Sequence, residues 1–315
     1  MHERPENSQS EFDSADKSDC MSDPPKLSIL IPSWNSLEML KLCLDSVVRH
    51  SQLPHQIVVH VNEGTDGTLD WIRRNKIDYT YTPQNVGICQ ALNLAAKICV
   101  AEYFVYLNDD MYVLPGWDRA LCEAESVTGN QEPTYFSGTM VQRTRMAPSV
   151  VLADYGADPS SLDEAGLLRD FHAGKLARDD WNGATWPPCC VHRKWWKLVG
   201  GYSEELSPGF YSDIDFSMKL WQAGCRRFRG VGSSLAYHFG ETTTSLVRGP
   251  RNQNVKRARI QFFRKWGILP STFSRYYLRA GHPFQERTSE PDWRRSQWER
   301  LRLRLVSKLP SAKAG

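Results

Sequence analysis

Short, continuous apolar runs alternate along the first third of the chain with stretches in which apolar residues return every three or four positions. Residues 27–32 (LSILIP) form such a run, closed by proline, and predict a strand buried on both faces. Leu37, Leu40, Leu44, Val47 and Val48 then recur at helical spacing behind Ser36, a residue type suited to capping a helix. Residues 55–61 (HQIVVHV) predict a second strand, 62–67 (NEGTDG) a turn and 68–75 a second helix. A short third strand at 79–81 is followed by a third helix over 85–100, with Ile88, Leu92, Ala95, Ala96 and Cys99 along one side. A fourth strand, 103–107 (YFVYL), runs straight into Asn108, Asp109 and Asp110. Repeated strand–helix steps over so short a span predict an α/β fold with a mostly parallel sheet flanked by helices. Ligands of such sheets sit beyond the carboxyl ends of the strands. The polar groups Ser33, Trp34 and Asn35, then Asn62 and Glu63, then Asn108 to Asp110, all fall at those ends.

After Gly116 the alternation stops. Strands are predicted at 134–138, 189–192, 226–231 and 235–238, and helices at 193–199 and 213–223, with 143–180 irregular. There is no internal repeat and no second apolar core large enough to stand as a separate domain, so one body with an extension is expected. The predicted organisation is an acidic leader over 1–25, a body over 26–287 divided near 117, and a basic tail over 288–315.

Composition adds limits. The 315 residues are 41% hydrophobic and 24% charged, which excludes collagen, coiled coil and a fully disordered chain. No apolar run approaches the roughly 20 residues of a membrane-spanning helix. No secretory leader opens the chain, so a cytoplasmic protein is expected. Eight cysteines lie scattered with no CxxC pair, and predict reduced thiols packed as small hydrophobes rather than disulfides or a zinc site. The net charge of +3 hides a leader of net −5, too polar to order itself, and a tail of net +5 from residue 292 onward. Trp293, Trp298, Leu301, Leu305 and Leu309 lie on roughly one helical face of that tail. Such a helix rests peripherally on the cytoplasmic face of an anionic membrane, or packs on the body as an ordinary solvated helix. No basic stripe or reading module points to nucleic acid.

Three constellations carry candidate chemistry. Asp109 and Asp110 follow an apolar strand directly, where adjacent carboxylates are costly unless a cation offsets them. Oxygen ligands of this kind suit Mg²⁺ or Mn²⁺ with nucleotide phosphates, though solvated turn acids follow the same pattern. Asp213 opens a predicted helix, as an acid–base group or as a simple cap. Asp215 points elsewhere on that helix, so its role differs. His238 closes an apolar strand, as a metal ligand or as a hydrogen-bonded core histidine.

Together, the series Ser28-Ile29-Leu30-Ile31-Pro32-Ser33-Trp34-Asn35, Val61-Asn62-Glu63-Gly64-Thr65-Asp66-Gly67-Thr68, Gln84-Asn85-Val86-Gly87 and Ala91-Leu92-Asn93 resembles the nucleotide-sugar half of glycosyltransferase family 2. Asn108-Asp109-Asp110 falls at that family's DxD metal motif, Ser212-Asp213 at its Glu-Asp pair and His238 at its late metal-binding histidine. The resemblance covers about two-thirds of the chain, from Leu27 to Gly240. It implies a GT-A fold, a nucleotide-binding sheet joined to an acceptor-side extension, with a divalent Mn²⁺ or Mg²⁺ cofactor. It implies that Ser33, Trp34 and Asn35 lie along base and ribose and that Asn62 reads the base edge. Pro32, Glu63, Asn85, Gly87, Asn108 and Asp109 complete the donor-binding set. Asp110 and His238, with Asp109 beside them, hold the metal, and Asp213 is the general base of an inverting transfer to a hydroxyl acceptor, a glycan or lipid-linked glycan. UDP or dTDP sugars are the donors that family habit favours.

The chain departs from the pattern at Asn108 and Ser212, where acids are usual, and the turn after the second strand holds Asn62-Glu63 where two acids are common. Lys256, Arg257 and Arg259, with Arg248 and Arg251, form a basic run that closes over a diphosphate or is a solvated face. Trp181, Trp186, Trp195 and Trp196 include candidates for sugar stacking and for the core. Two competing readings remain. A sugar nucleotidyltransferase would need a glycine-rich basic loop where this chain has Ser33-Trp34-Asn35-Ser36. A binding relic would hold the donor without turning it over.

Overall fold

The computed structural model describes residues 24–126, 132–144, 149–183, 186–240 and 251–291. The acidic leader up to residue 23, the tail from residue 292, and Arg248 lie outside the described residues. The first unit is β1 (Leu27–Trp34), α1 (Leu37–His50), β2 (His55–Asn62), α2 (Thr68–Arg74), β3 (Asp78–Thr82), α3 (Gly87–Ala95) and β4 (Tyr103–Tyr106). It continues through β5 (Met111–Val113), α4 (Trp117–Ser126), β6 (Thr134–Gln142), β7 (Val151–Leu152), α5 (Glu164–His172), β8 (Trp181–Asn182) and β9 (Cys189–His192). The last elements are α6 (Arg193–Val199), α7 (Ser212–Gln222), β10 (Arg227–His238) and α8 (Arg251–Trp266).

One sheet runs through all of it in the order β3-β2-β1-β4-β9-β6-β10-β5, with β7 beside β6 and β8 beside β10. Strands β3, β2, β1 and β4 are mutually parallel, while β9 runs antiparallel between β4 and β6. The expected parallel sheet therefore holds for the first half, and the second half is mixed. Alternation along β1 sends Leu27, Ile29 and Ile31 into the layer of α1 and α4, and Leu30 into the layer of α3, α6 and α7. Because both faces are covered, β1 reads as an unbroken apolar run. All seven described cysteines are buried and none is in a disulfide. No helix among the described residues is long and apolar enough to cross a membrane.

Several expectations need correction. Val48 is 67% exposed, because the buried stripe of α1 is Met39, Leu40, Cys43, Leu44 and Val47. Ser36 makes no side-chain cap; Asp66, from the turn after β2, accepts from Leu37 N at 2.8 Å and also holds Thr68 at the start of α2. Helix α3 starts at Gly87 and stops at Ala95, well inside 85–100. Asn85 Oδ1 accepts from Gly87 N at 2.8 Å, and Gly87 has φ 77° where a Cβ would meet Pro208 Cα at 2.9 Å. The stretch 143–180, expected to be irregular, contains the two-residue β7 and helix α5, whose start Asp163 caps by accepting from Gly166 N at 2.9 Å. The strands expected at 226–231 and 235–238 are one, β10, with a shift in register between Val231 and Leu235.

Gly230, in the middle of β10, lies against the Trp181 ring, and a Cβ there would sit 1.9 Å from it. Trp181 is itself fixed by its indole N–H donating to Thr139 Oγ1 at 3.0 Å. Gly230→Ala is expected to lower stability by about 1–3 kcal/mol through overpacking, read as a lower urea midpoint at unchanged slope.

Candidate active site

Parallel pairing puts the ends of β1, β2 and β4 on one edge, and a cavity of about 320 Å³ opens there. Pro32, Ser33, Trp34, Asn62, Asn85, Gly87, Asn108, Asp109 and Asp110 line it from the first half of the sheet. Asp213, at the start of α7, and His238, at the end of β10, line it from the other side. Residues some two hundred positions apart thus face one space. Of the predicted site residues, Asn35 and Glu63 stand outside the lining.

Glu63 instead ties the strand ends together from behind. Its Oε2 accepts from Trp34 Nε1 at 2.9 Å and from Asn35 Nδ2 at 3.2 Å, and its Oε1 accepts from Asn85 N at 3.2 Å. Asn35 Oδ1 in turn accepts from Thr65 N at 2.9 Å. Both Asn35 and Glu63 take left-handed backbone, at φ 46° and 60°, which turns the chain sharply at the strand ends. Asn62 is buried and spends its Oδ1 on Val86 N at 3.0 Å, so it fixes the start of α3 as well as facing the cavity.

Asp109 and Asp110 are almost fully buried. Burial first, and the Asp110 charge second, push the Asp109 carboxyl up to about 8. Asp109 Oδ2 has no hydrogen-bond partner among the described residues. His238 Nε2 lies 3.4 Å from Asp110 Oδ1, and its Nδ1 meets Gln142 Oε1 at 2.9 Å, which orients the ring. Burial lowers the His238 pKa, but the charge and hydrogen bonding of Asp110 outweigh it and leave it raised. Gln142 was not expected from sequence; it stands at the end of β6, beyond the short strand that the pattern marks. Two buried carboxylates, an oxygen left unsatisfied and an imidazole form a donor set that fits Mg²⁺ or Mn²⁺ with substrate phosphates as further ligands. Among the described residues no group of three or more His, Cys, Asp or Glu closes into a metal cage.

Asp213 keeps some surface in the cavity, and its enclosure pushes its carboxyl up to about 7. Tyr211, with φ 61°, supplies the sharp turn into α7 that delivers it, and Ser212 Oγ closes that turn on Gly209 O at 2.7 Å. Asp215 is fully buried and faces away. It pairs with Lys265 at 3.1 Å and accepts from Trp266 Nε1 at 2.7 Å, joining α7 to α8. Lys256, Arg257 and Arg259 are exposed on α8 and none lines the cavity. Trp186 lines it, whereas Trp181 and Trp196 are buried in the core and Trp195 packs against it. Phe210, Tyr211, Pro187, Pro208 and Met140 complete an apolar wall that no sequence period announced.

A sheet of this order with its cleft at this edge belongs to the GT-A class of α/β folds. Residues 28–125, about a third of the chain, match the model of Glycosyl transferase family 2. A poly(ribitol-phosphate) beta-glucosyltransferase of Bacillus spizizenii is 27% identical over 170 residues, 46% of this chain and 26% of the relative. A chondroitin synthase of Escherichia coli is 20% identical over 296 residues, 88% of this chain and 37% of the relative. The chain therefore spans only about a quarter to a third of the length of these curated relatives. A mannosyltransferase from Pyrobaculum calidifontis, solved with GDP-Man and Mn²⁺, superposes with a TM-score of 0.50 at 17% identity, over 79% of this chain and 67% of that one.

Because the loop at Trp34–Asn35 and the loop at Asn85 both hang on the Glu63 carboxylate, Glu63→Ala is expected to cost about 1–3 kcal/mol by leaving half-buried donors unpaired, measured by chemical denaturation.

Proposed function

We propose that the protein is an inverting glycosyltransferase, which moves a sugar from a nucleoside-diphosphate donor to a hydroxyl acceptor, a glycan or lipid-linked glycan. What carries this reading is the meeting, in one cleft, of the family 2 strand ends with Asp213 and His238 from the other half of the chain. Pro32, Ser33, Trp34, Asn62 and Asn85 supply the wall for nucleobase and ribose, and Trp34 presents an indole whose N–H is already committed to Glu63. UDP or dTDP is the donor nucleotide that the resemblance favours. Asp109, Asp110 and His238 would hold Mn²⁺ or Mg²⁺, whose chemistry is to offset the charge that grows on the departing diphosphate. The basic tail over 288–315 belongs to the reading as a peripheral contact with a membrane carrying the acceptor.

Asp213 is the general base. Its carboxylate takes the proton from the acceptor hydroxyl as that oxygen attacks the anomeric carbon from the face opposite the leaving diphosphate. The new C–O bond forms as the bond to the diphosphate breaks, so configuration inverts. A base must be unprotonated to act, and a carboxyl held near 7 is half ionised at neutral pH and takes a proton readily. The apolar wall around Trp186 and Phe210 limits water at the reacting centre, which keeps hydrolysis from competing.

Nucleoside-diphosphate release from a panel of nucleotide sugars, with Mn²⁺, with Mg²⁺ and with EDTA, tests the reading. Asp110→Ala is expected to abolish metal-dependent release, and Asp213→Asn to lower it roughly 10²–10⁴-fold while donor binding persists. Full turnover in Asp213→Asn would refute its role as base, and donor binding without any turnover would point to a binding relic. The pH profile of kcat/KM is expected to rise with pH to a plateau, with its midpoint near 7 and a tenfold fall per unit below it, as Asp213 gains its proton.

A further inference from the structure

The Gly200-Gly201-Tyr202 turn ends α6 at a left-handed Gly200 (φ 73°) and carries Tyr202 into the core beside α7. Gly201 has φ 66°, and a Cβ on it would lie 2.3 Å from Asn93 Oδ1. That close approach lets Asn93, on α3, clamp the backbone of the next residue: its Oδ1 accepts from Tyr202 N at 2.8 Å and its Nδ2 donates to Tyr202 O at 2.9 Å. The Tyr202 ring stacks on Phe216 with centroids 4.7 Å apart and planes 7° apart, and meets Tyr106 edge-on at 6.0 Å. Phe216 sits on α7 one turn beyond Asp213. Clamped at its backbone and stacked at its ring, the buried Tyr202 points its hydroxyl at Asp213 Oδ1, 3.3 Å away.

The other titratable groups that face Asp213 are Tyr106 of β4, Tyr135 of β6, Cys189 of β9 and Cys89 of α3. Burial raises all four, and Tyr202 too, so they stay neutral. Burial drives Asp213 toward its protonated form, and the Tyr202 hydrogen bond opposes that drive.

We propose that Tyr202 is a positioning residue for the transfer, whose hydroxyl, aimed by Asn93, holds the Asp213 carboxylate ionised and oriented toward the cleft. The proposal rests on the reading of Asp213 as the base. A phenol donates its O–H to a carboxylate but gives no such help to the carboxylic acid, so removing it favours the protonated form. The tyrosine itself gains and loses no proton in the step.

Titration of the Asp213 carboxyl by ¹³C NMR in aspartate-labelled protein, free of metal and donor, tests this without any need for turnover. The Asp213 resonance is the one missing in Asp213→Asn. In Tyr202→Phe the midpoint is expected to rise by about half to one pH unit, a three- to tenfold change in proton affinity. Asn93→Ala, which keeps the hydroxyl but frees the backbone that aims it, is expected to move it the same way by less. In nucleoside-diphosphate release, the rising limb of the Tyr202→Phe profile shifts alkaline by the same amount and the rate recovers above it. An unmoved midpoint in Tyr202→Phe, or an equal loss of rate at every pH, overturns the proposal. Full turnover in Asp213→Asn would instead sink the base reading, independently of what Tyr202→Phe shows.

Discussion

The arrangement depends on the parallel pairing of β1 with β2 on one side and β4 on the other. Parallel neighbours end on the same edge, so the polar residues that follow each strand are brought together whatever their separation in the chain. β1 is also buried on both faces, and a one-residue slip in its register would move Leu27, Ile29 and Ile31 out of one apolar layer and into the other. The strand that carries the core therefore also fixes where Ser33, Trp34 and Asn35 stand. The cleft is a consequence of core packing.

At that edge the charges are handled in two different ways. Glu63 is satisfied by geometry, its oxygens accepting from Trp34, Asn35 and the Asn85 backbone, so it holds the loops and leaves the cleft wall to its neighbours. Asp109 and Asp110 stand side by side in a buried place, with His238 beside Asp110, and burial together with the neighbouring charge raises the Asp109 carboxyl. That contrast separates a carboxylate that holds structure from a pair left facing the cleft. Asp215 and Asp213 repeat it on α7: the first is locked by Lys265 and Trp266, the second meets the Tyr202 hydroxyl and faces the cavity.

The second half of the chain supplies what the strand ends lack. β9 runs antiparallel between β4 and β6 and joins the two halves into one sheet, while β10 returns to deliver His238 opposite Asp110. Aromatic packing among Trp196, Tyr202 and Phe216 then fixes α7 against the sheet, and with it the position of Asp213. The match to the family 2 model spans residues 28–125, whereas Asp213 and His238 come from beyond them.

The amino-acid sequence by itself determined the β1–β4 unit, since burial on two faces writes an unbroken apolar run and helices write a period. It also placed Asp109, Asp110, Asp213 and His238 at the ends of elements, where the folded chain has them. Strand β5 and the two-residue strands stayed hidden because they are too short to show a period, and their form comes from neighbours in the sheet. That Glu63 would turn behind the cleft rather than line it, that Asp66 rather than Ser36 would cap α1, and that Asp215 would be spent on Lys265 were decided only in three dimensions. Each of these choices turns on which donor a carboxylate reaches across 28 to 50 residues of chain, and a hydrogen bond forms at about 3 Å whatever the separation in sequence.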